Sequence, residues 1–145
     1  MPLGTIGRMT IELHPLTSDD LELVELARRT VDENSDGDTG VHTMGAAVRA
    51  VDGRTFAGIN LHHFTGGPCA ELVALGHARA SGARDLLTIV AVGDRGRGVQ
   101  APCGRDRQVL ADYHPGIRVI VPTEDGPMSV RASDLLPLAY VAPAE

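Results

Sequence analysis

Apolar positions at Leu21, Val24, Leu26 and Ala27 follow Ser18-Asp19-Asp20. A capping residue, an acidic first turn and an apolar stripe predict a helix from about Asp19 to Val31. Asp32 to Gly40 is rich in Asp, Asn, Ser and Gly and reads as a loop. Two apolar runs, Val41 to Val51 and Thr55 to Asn60, flank Asp52-Gly53-Arg54. An Asp-Gly step between such runs predicts a β-hairpin. The glycines and proline of Phe64 to Pro68 make a loop. From Cys69 an apolar stretch runs to Ala80 and predicts a second helix, stopped by Gly82.

Leu86 to Val92 is a continuous apolar run, as in a buried strand. The three glycines between Gly93 and Gln100 then read as a loop. Pro102-Cys103 opens a third helix, to about Tyr113, and His114-Pro115-Gly116 ends it. Ile117 to Val121 reads as a buried strand and Met128 to Arg131 as a further one, with a short helix at Ser133 to Leu136. Residues 1–17 show no periodicity and read as an arm, leaving 18–145 as one domain. This order of elements predicts a three-layer α/β domain with a mixed sheet.

Composition narrows the function classes. The 145 residues carry a net charge of −6 and only two Phe, two Tyr and no Trp. An acidic, aromatic-poor chain lacks the basic footprint and stacking surface of a nucleic-acid binder, so no nucleic-acid partner is expected. No apolar run reaches the roughly 18 residues of a membrane span, and the start lacks the layout of a signal peptide. The expectation is a cytoplasmic protein without a membrane partner. Its only cysteines are Cys69 and Cys103. In a reducing compartment such a pair points to metal or catalysis more than to a disulfide.

Both cysteines follow a proline and sit at predicted helix starts. The partial positive charge there favours the thiolate, the form that binds metal. Cys69 is followed by Ala70-Glu71, and Cys103 by Gly104-Arg105-Asp106. His or Cys-x-Glu followed by Pro-Cys-x-x-Cys is the arrangement of zinc deaminases, and here Asp106 stands in place of the last cysteine. In those enzymes zinc lowers the pKa of a bound water and a non-ligating Glu moves the protons. Asp106, three residues after Cys103, shares its helical face and can meet the same metal. Each residue also has a plainer reading. The cysteines are buried structural thiols, Glu71 a first-turn carboxylate favoured by the helix dipole, and Asp106 a poor ligand at a weak or empty site. Arg105 and Arg107 either compensate the anionic ligands or are surface residues. His42, His62, His63 and His77 have no partners at ligand spacing and read as ordinary polar residues.

The segment Phe56-Ala57-Gly58-Ile59-Asn60-Leu61-His62-His63-Phe64-Thr65-Gly66-Gly67-Pro68-Cys69-Ala70-Glu71-Leu72-Val73 resembles the active-site strand, loop and helix of the cytidine deaminase family. Its blasticidin S deaminase subgroup is the nearest likeness. Ile89 to Gly93, Pro102 to Arg105 through Leu110, His114 to Ile117, Leu135-Leu136-Pro137 and Tyr140-Val141 extend the likeness over residues 19–142. The resemblance implies a three-layer α/β/α fold with a five-stranded mixed sheet. It implies a homotetramer with sites near subunit interfaces, and hydrolytic replacement of a ring amine on a small-molecule substrate. Carried onto this chain, Cys69 and Cys103 are zinc ligands with Asp106 in the third position, and Glu71 is the proton shuttle. Asn60 contacts the nucleoside, and Phe56, Ala70 and Pro102 join it as substrate-binding candidates.

The chain departs from the family pattern in three places. Asp106 stands where the third ligand is usually Cys. His62 stands where ordinary cytidine deaminases read the ribose with Glu. Leu72 stands where they have Arg. Three functions follow for comparison: a zinc-dependent deaminase of a cytosine nucleoside or analogue, a deaminase of other amino-substituted heterocycles or free bases, and a catalytically inactive binding or assembly module.

Overall fold

The computed structural model describes residues 11–143. Helix α1 spans Ser18–Asn34, α2 Ala70–Ala80 and α3 Gly104–Tyr113. The strands are β1 Met44–Ala50, β2 Thr55–Ile59, β3 Leu86–Gly93, β4 Gly98–Gln100, β5 Arg118–Val121 and β6 Met128–Arg131. Short 3-10 turns cover Gly37–Thr39 and Ala132–Leu135.

Helix α1 is capped one residue earlier than expected. Thr17 Oγ1 accepts from the Asp20 amide at 3.1 Å, and Asp20 Oδ2 accepts from the Thr17 amide at 2.9 Å. The two orphan donors are thus satisfied reciprocally. The helix also runs to Asn34, into the stretch that reads as loop. Arg28 bridges to Asp32 at 2.7 Å, one turn on, and Asn34 donates to the Thr30 carbonyl at 2.8 Å. These pairs offset the weak helix propensity of Asp and Asn. Of the arm, residues 1–10 lie outside the described residues. His14 exchanges two 2.8 Å backbone hydrogen bonds with Ser129, and Leu16 packs against the core.

The strands lie in the order β2-β1-β3-β5-β6. Only β3 and β5 run parallel, so the sheet is mixed. The expected five strands form this path, and a sixth, β4, pairs with β3 through Ala91↔Gln100 to Gly93↔Gly98. It arises where three glycines read as loop. Arg95, Gly96 and Gly98 take left-handed φ values of 54°, 72° and 77°, which folds the chain back tightly onto β3. Three residues are too few to show alternation in sequence.

Alternation along β1 builds the layers. Ala47 faces α1 with Leu23, Ala27, Val90, Val92 and Ile120. Ala46, Val48 and Ala50 face α2 and α3 with Ala70, Ala74, Ala78, Ile89 and Leu110. The result is an α/β/α sandwich. Gly58 on β2 sets the seating of α2. A Cβ there would lie 2.5 Å from the Ala74 amide nitrogen, so only glycine admits the helix so close. Among the described residues no helix is long and apolar enough to cross a membrane.

Candidate active site

Two helix starts build the site. Cys69 caps α2 and Cys103 caps α3, both with extended backbone and neither using its side chain as a cap. The sulfurs meet 3.5 Å apart. Asp106, in the first turn of α3, completes a cluster. One ligand atom each from Cys69, Cys103 and Asp106 lies within 4.8 Å of the other two.

Asp106 is 1 % exposed, and its Oδ1 is buried without a hydrogen-bond partner among the described residues. An unsatisfied buried acceptor costs about 1–3 kcal/mol, and more when charged. A cation between the three donors would satisfy that oxygen and offset their mutual repulsion. Two thiolates and a carboxylate are donors that zinc accepts, and three protein ligands leave one position open. The residues present therefore fit the metal that the sequence pattern implies.

The electrostatics correct one expectation. A helix start favours a lowered thiol pKa, yet burial pushes that of Cys69 up to about 11. Cys103 and Asp106 press in the same direction, while Arg105 opposes them. The partial charge of a helix terminus is outweighed by desolvation among other acidic groups. A bound metal inverts this logic, because a coordinating thiol gives up its proton.

Glu71, in the first turn of α2, is 6 % exposed and lines the same cavity. Burial, then the neighbouring Asp106 carboxylate, pushes its pKa up to about 8. A carboxyl that titrates near neutrality can both take and give a proton at working pH. Glu71 lies outside the three-residue donor cluster but beside it.

The cavity holds about 180 Å³. Asn60, Ala70, Cys69, Cys103, Asp106 and Glu71 line it together with Met44, Leu61, His62, Gly67, Pro68 and Ala101. Asn60 Oδ1 accepts from the amides of Thr43 at 2.7 Å and Met44 at 2.9 Å, and Nδ2 donates to Thr43 Oγ1 at 3.3 Å. Its amide is thereby fixed at the end of β2, against the start of β1. Two of the proposed substrate contacts, Phe56 and Pro102, are not among these lining residues. Phe56 does not line the cavity; its ring is buried in the core, edge-on to His77 with centroids 5.3 Å apart. Pro102 is buried beside the site, and its carbonyl accepts from Arg107 Nε at 2.8 Å.

The two arginines divide their work. Arg107 also donates to the Leu135 carbonyl at 3.2 Å, tying α3 to the last 3-10 turn. Arg105 donates to Cys69 Sγ at 3.6 Å and to the Gly67 carbonyl at 2.8 Å. Met44, Leu61 and Ala101 carry no chemistry that sequence could flag. His62, which by type reads as an ordinary polar residue, stands two positions after Asn60 and lines the cavity with it.

No protein-family model matches the chain. A blasticidin-S deaminase of Bacillus cereus is 31% identical over 134 residues, covering 86% of this chain and 94% of that protein. A cytidine deaminase of Halalkalibacterium halodurans is 37% identical over 103 residues, covering 68% of this chain and 77% of its own length. Among solved structures, the cytidine deaminase of Burkholderia pseudomallei superposes with a TM-score of 0.69 at 31% identity. It covers 86% of this chain and all of its own. The sandwich, the paired helix starts and these likenesses agree: the chain belongs to the cytidine deaminase family.

Proposed function

We propose that this protein is a zinc-dependent hydrolytic deaminase of a cytosine nucleoside or analogue, of the blasticidin S or cytidine type. The single observation that carries the metal is the buried, unpartnered Asp106 Oδ1 beside two thiols. Cys69, Cys103 and Asp106 would hold the ion. When bound, zinc supplies the Lewis acidity that makes water a nucleophile near neutral pH.

The chain's own groups do the rest. Water adds to the ring carbon that bears the amine, C4 of cytosine. Glu71 takes the proton that the water loses and delivers it to the adjacent ring nitrogen. Glu71 then carries the second proton to the departing amine, which leaves as ammonia, and the ring keeps a carbonyl. One carboxyl with a pKa near neutrality serves both transfers. Asn60, His62 and Ala70 line the cavity and would contact the substrate there. Arg105 stands against the charge of the thiolate at Cys69.

The same reading includes a homotetramer with sites near subunit interfaces. Largely exposed apolar side chains at Phe64, Leu138 and Val141 support that assembly. It also places the protein in the cytoplasm, where thiol donors stay reduced. The test is a panel of cytidine, deoxycytidine, blasticidin S, cytosine and related bases, read by ammonia release with metal content in parallel. Release from a cytosine nucleoside or blasticidin S is the expected result. Release only from unrelated amino-heterocycles would shift the substrate class, and none from a zinc-replete protein would favour an inactive binding module.

A further inference from the structure

The same two helix starts give the site a second chemistry. We infer that Cys69 and Cys103 form a reversible intramolecular disulfide under oxidising conditions, and that this disulfide shuts the site. The inference rests on the proposed metal reading only in its consequence, because a disulfide would remove two of three donors.

The geometry is specific to this pair. The sulfurs are 3.5 Å apart, and a disulfide needs about 2.05 Å, so each thiol moves by less than an ångström, roughly. Neither side chain is committed to a helix cap, so a small rotation about each side-chain bond costs no capping interaction. Cys103 is exposed to solvent and Cys69, 3.5 Å away, is half-buried. An oxidant therefore reaches Cys103 first, and Cys69 is positioned to resolve the product.

With hydrogen peroxide as oxidant the step balances. The Cys103 sulfur attacks one peroxide oxygen, the O–O bond breaks, and a first water leaves. The resulting sulfenic acid is attacked by the Cys69 sulfur, which expels a second water as the S–S bond forms. Two thiols lose two hydrogens in all, and the peroxide is reduced. Asp106 makes the outcome unambiguous. Where the family carries a third cysteine, this chain carries a carboxylate, so it has no other thiol to form a competing pair. Once Cys69 and Cys103 are joined, Asp106 alone cannot hold a metal, since catalytic zinc sites use three protein ligands.

The experiment exposes the full chain, stripped of metal by a chelator, to hydrogen peroxide and follows intact mass and free thiol. The expected result is loss of two hydrogens, loss of both thiols, and a proteolytic fragment that links Cys69 to Cys103. A thiol reductant should restore both. Added oxygen atoms without the linked fragment, or cross-links between chains, would overturn the inference. Cys103→Ser is the control: it should gain oxygen or stay unchanged, and never lose two hydrogens. A second arm repeats the oxidation after zinc loading, where the rate should fall by roughly tenfold or more because metal occupies the thiols. Equal rates with and without zinc would overturn the proposed ligand set while leaving the disulfide standing.

Discussion

Arg105 on α3 donates to the sulfur of Cys69 on α2 at 3.6 Å, and the same nitrogen reaches the Gly67 carbonyl at 2.8 Å. One guanidinium thus joins both helix starts and the loop that lines the cavity. The position after Glu71, where ordinary cytidine deaminases carry Arg, is Leu72 here. Arg105 supplies a positive charge at the thiols from the opposite helix.

Replacing Arg105 by Gln should therefore lower activity by about 10–100-fold, the usual cost of losing a partner of a metal ligand. Arg105→Lys should recover part of the loss, since it keeps the charge but not the forked donor. Steady-state kinetics on the best substrate checks both. Full activity in Arg105→Gln would make Arg105 a surface residue.

Glu71→Gln should keep the fold and the metal but lose turnover by about 10²–10⁴-fold, because the amide cannot carry a proton. The comparison to make is ammonia release against zinc content in one preparation. Near-normal release would remove Glu71 from the chemistry.

Asp106→Cys should give an active protein, as it restores three thiolate donors, one at the start of α2 and two at the start of α3. Asp106→Ala should lose metal, because two protein ligands do not close a catalytic zinc site. Removing this buried carboxyl also removes an unpaired acceptor, so the metal-free variant should unfold at the same or a higher temperature than the metal-free parent. If Asp106→Ala binds zinc as the parent does, the third ligand lies elsewhere and Asp106 is a bystander.

Gly67→Ala should disturb the cavity wall. A Cβ there would lie 1.7 Å from the Leu61 carbonyl oxygen, so the loop from Leu61 to Pro68 must open. The Arg105 anchor on Gly67 shifts with it. A stability loss of about 1–3 kcal/mol is expected, with a raised KM. Denaturant unfolding alongside kinetics separates the two effects, and an unchanged midpoint and KM would show that the loop tolerates the side chain.

The clustering of Cys69, Cys103 and Asp106 was more legible in the sequence than their surroundings. Pro68-Cys69-Ala70-Glu71 and Pro102-Cys103 with Asp106 are local patterns, and helix starts translate local pattern directly into direction. The three layers were legible for the same reason: alternation on β1 and the stripe on α1 each name the face they bury. What was less legible depends on how the chain turns and packs rather than on residue type. Strand β4 exists because Arg95 and Gly96 turn the backbone onto β3. Phe56 sits close in sequence to the motif, yet its strand turns the ring into the core against His77. Arg105 and Arg107 are two residues apart and indistinguishable by type, and only the packing of α3 sends one to Cys69 and the other to Leu135. The raised thiol pKa of Cys69 likewise depends first on its burial and then on the approach of Cys103 and Asp106, which no single helix start discloses.

The central claim is a zinc ion held by Cys69, Cys103 and Asp106. Elemental analysis of the full chain, purified without chelator and then equilibrated with zinc, tests it most directly. The account predicts one zinc per chain, and that Cys69→Ser, Cys103→Ser and Asp106→Ala each lose it. Less than about a tenth of an equivalent in the parent would contradict the account, since a site with three protein donors holds its zinc through purification.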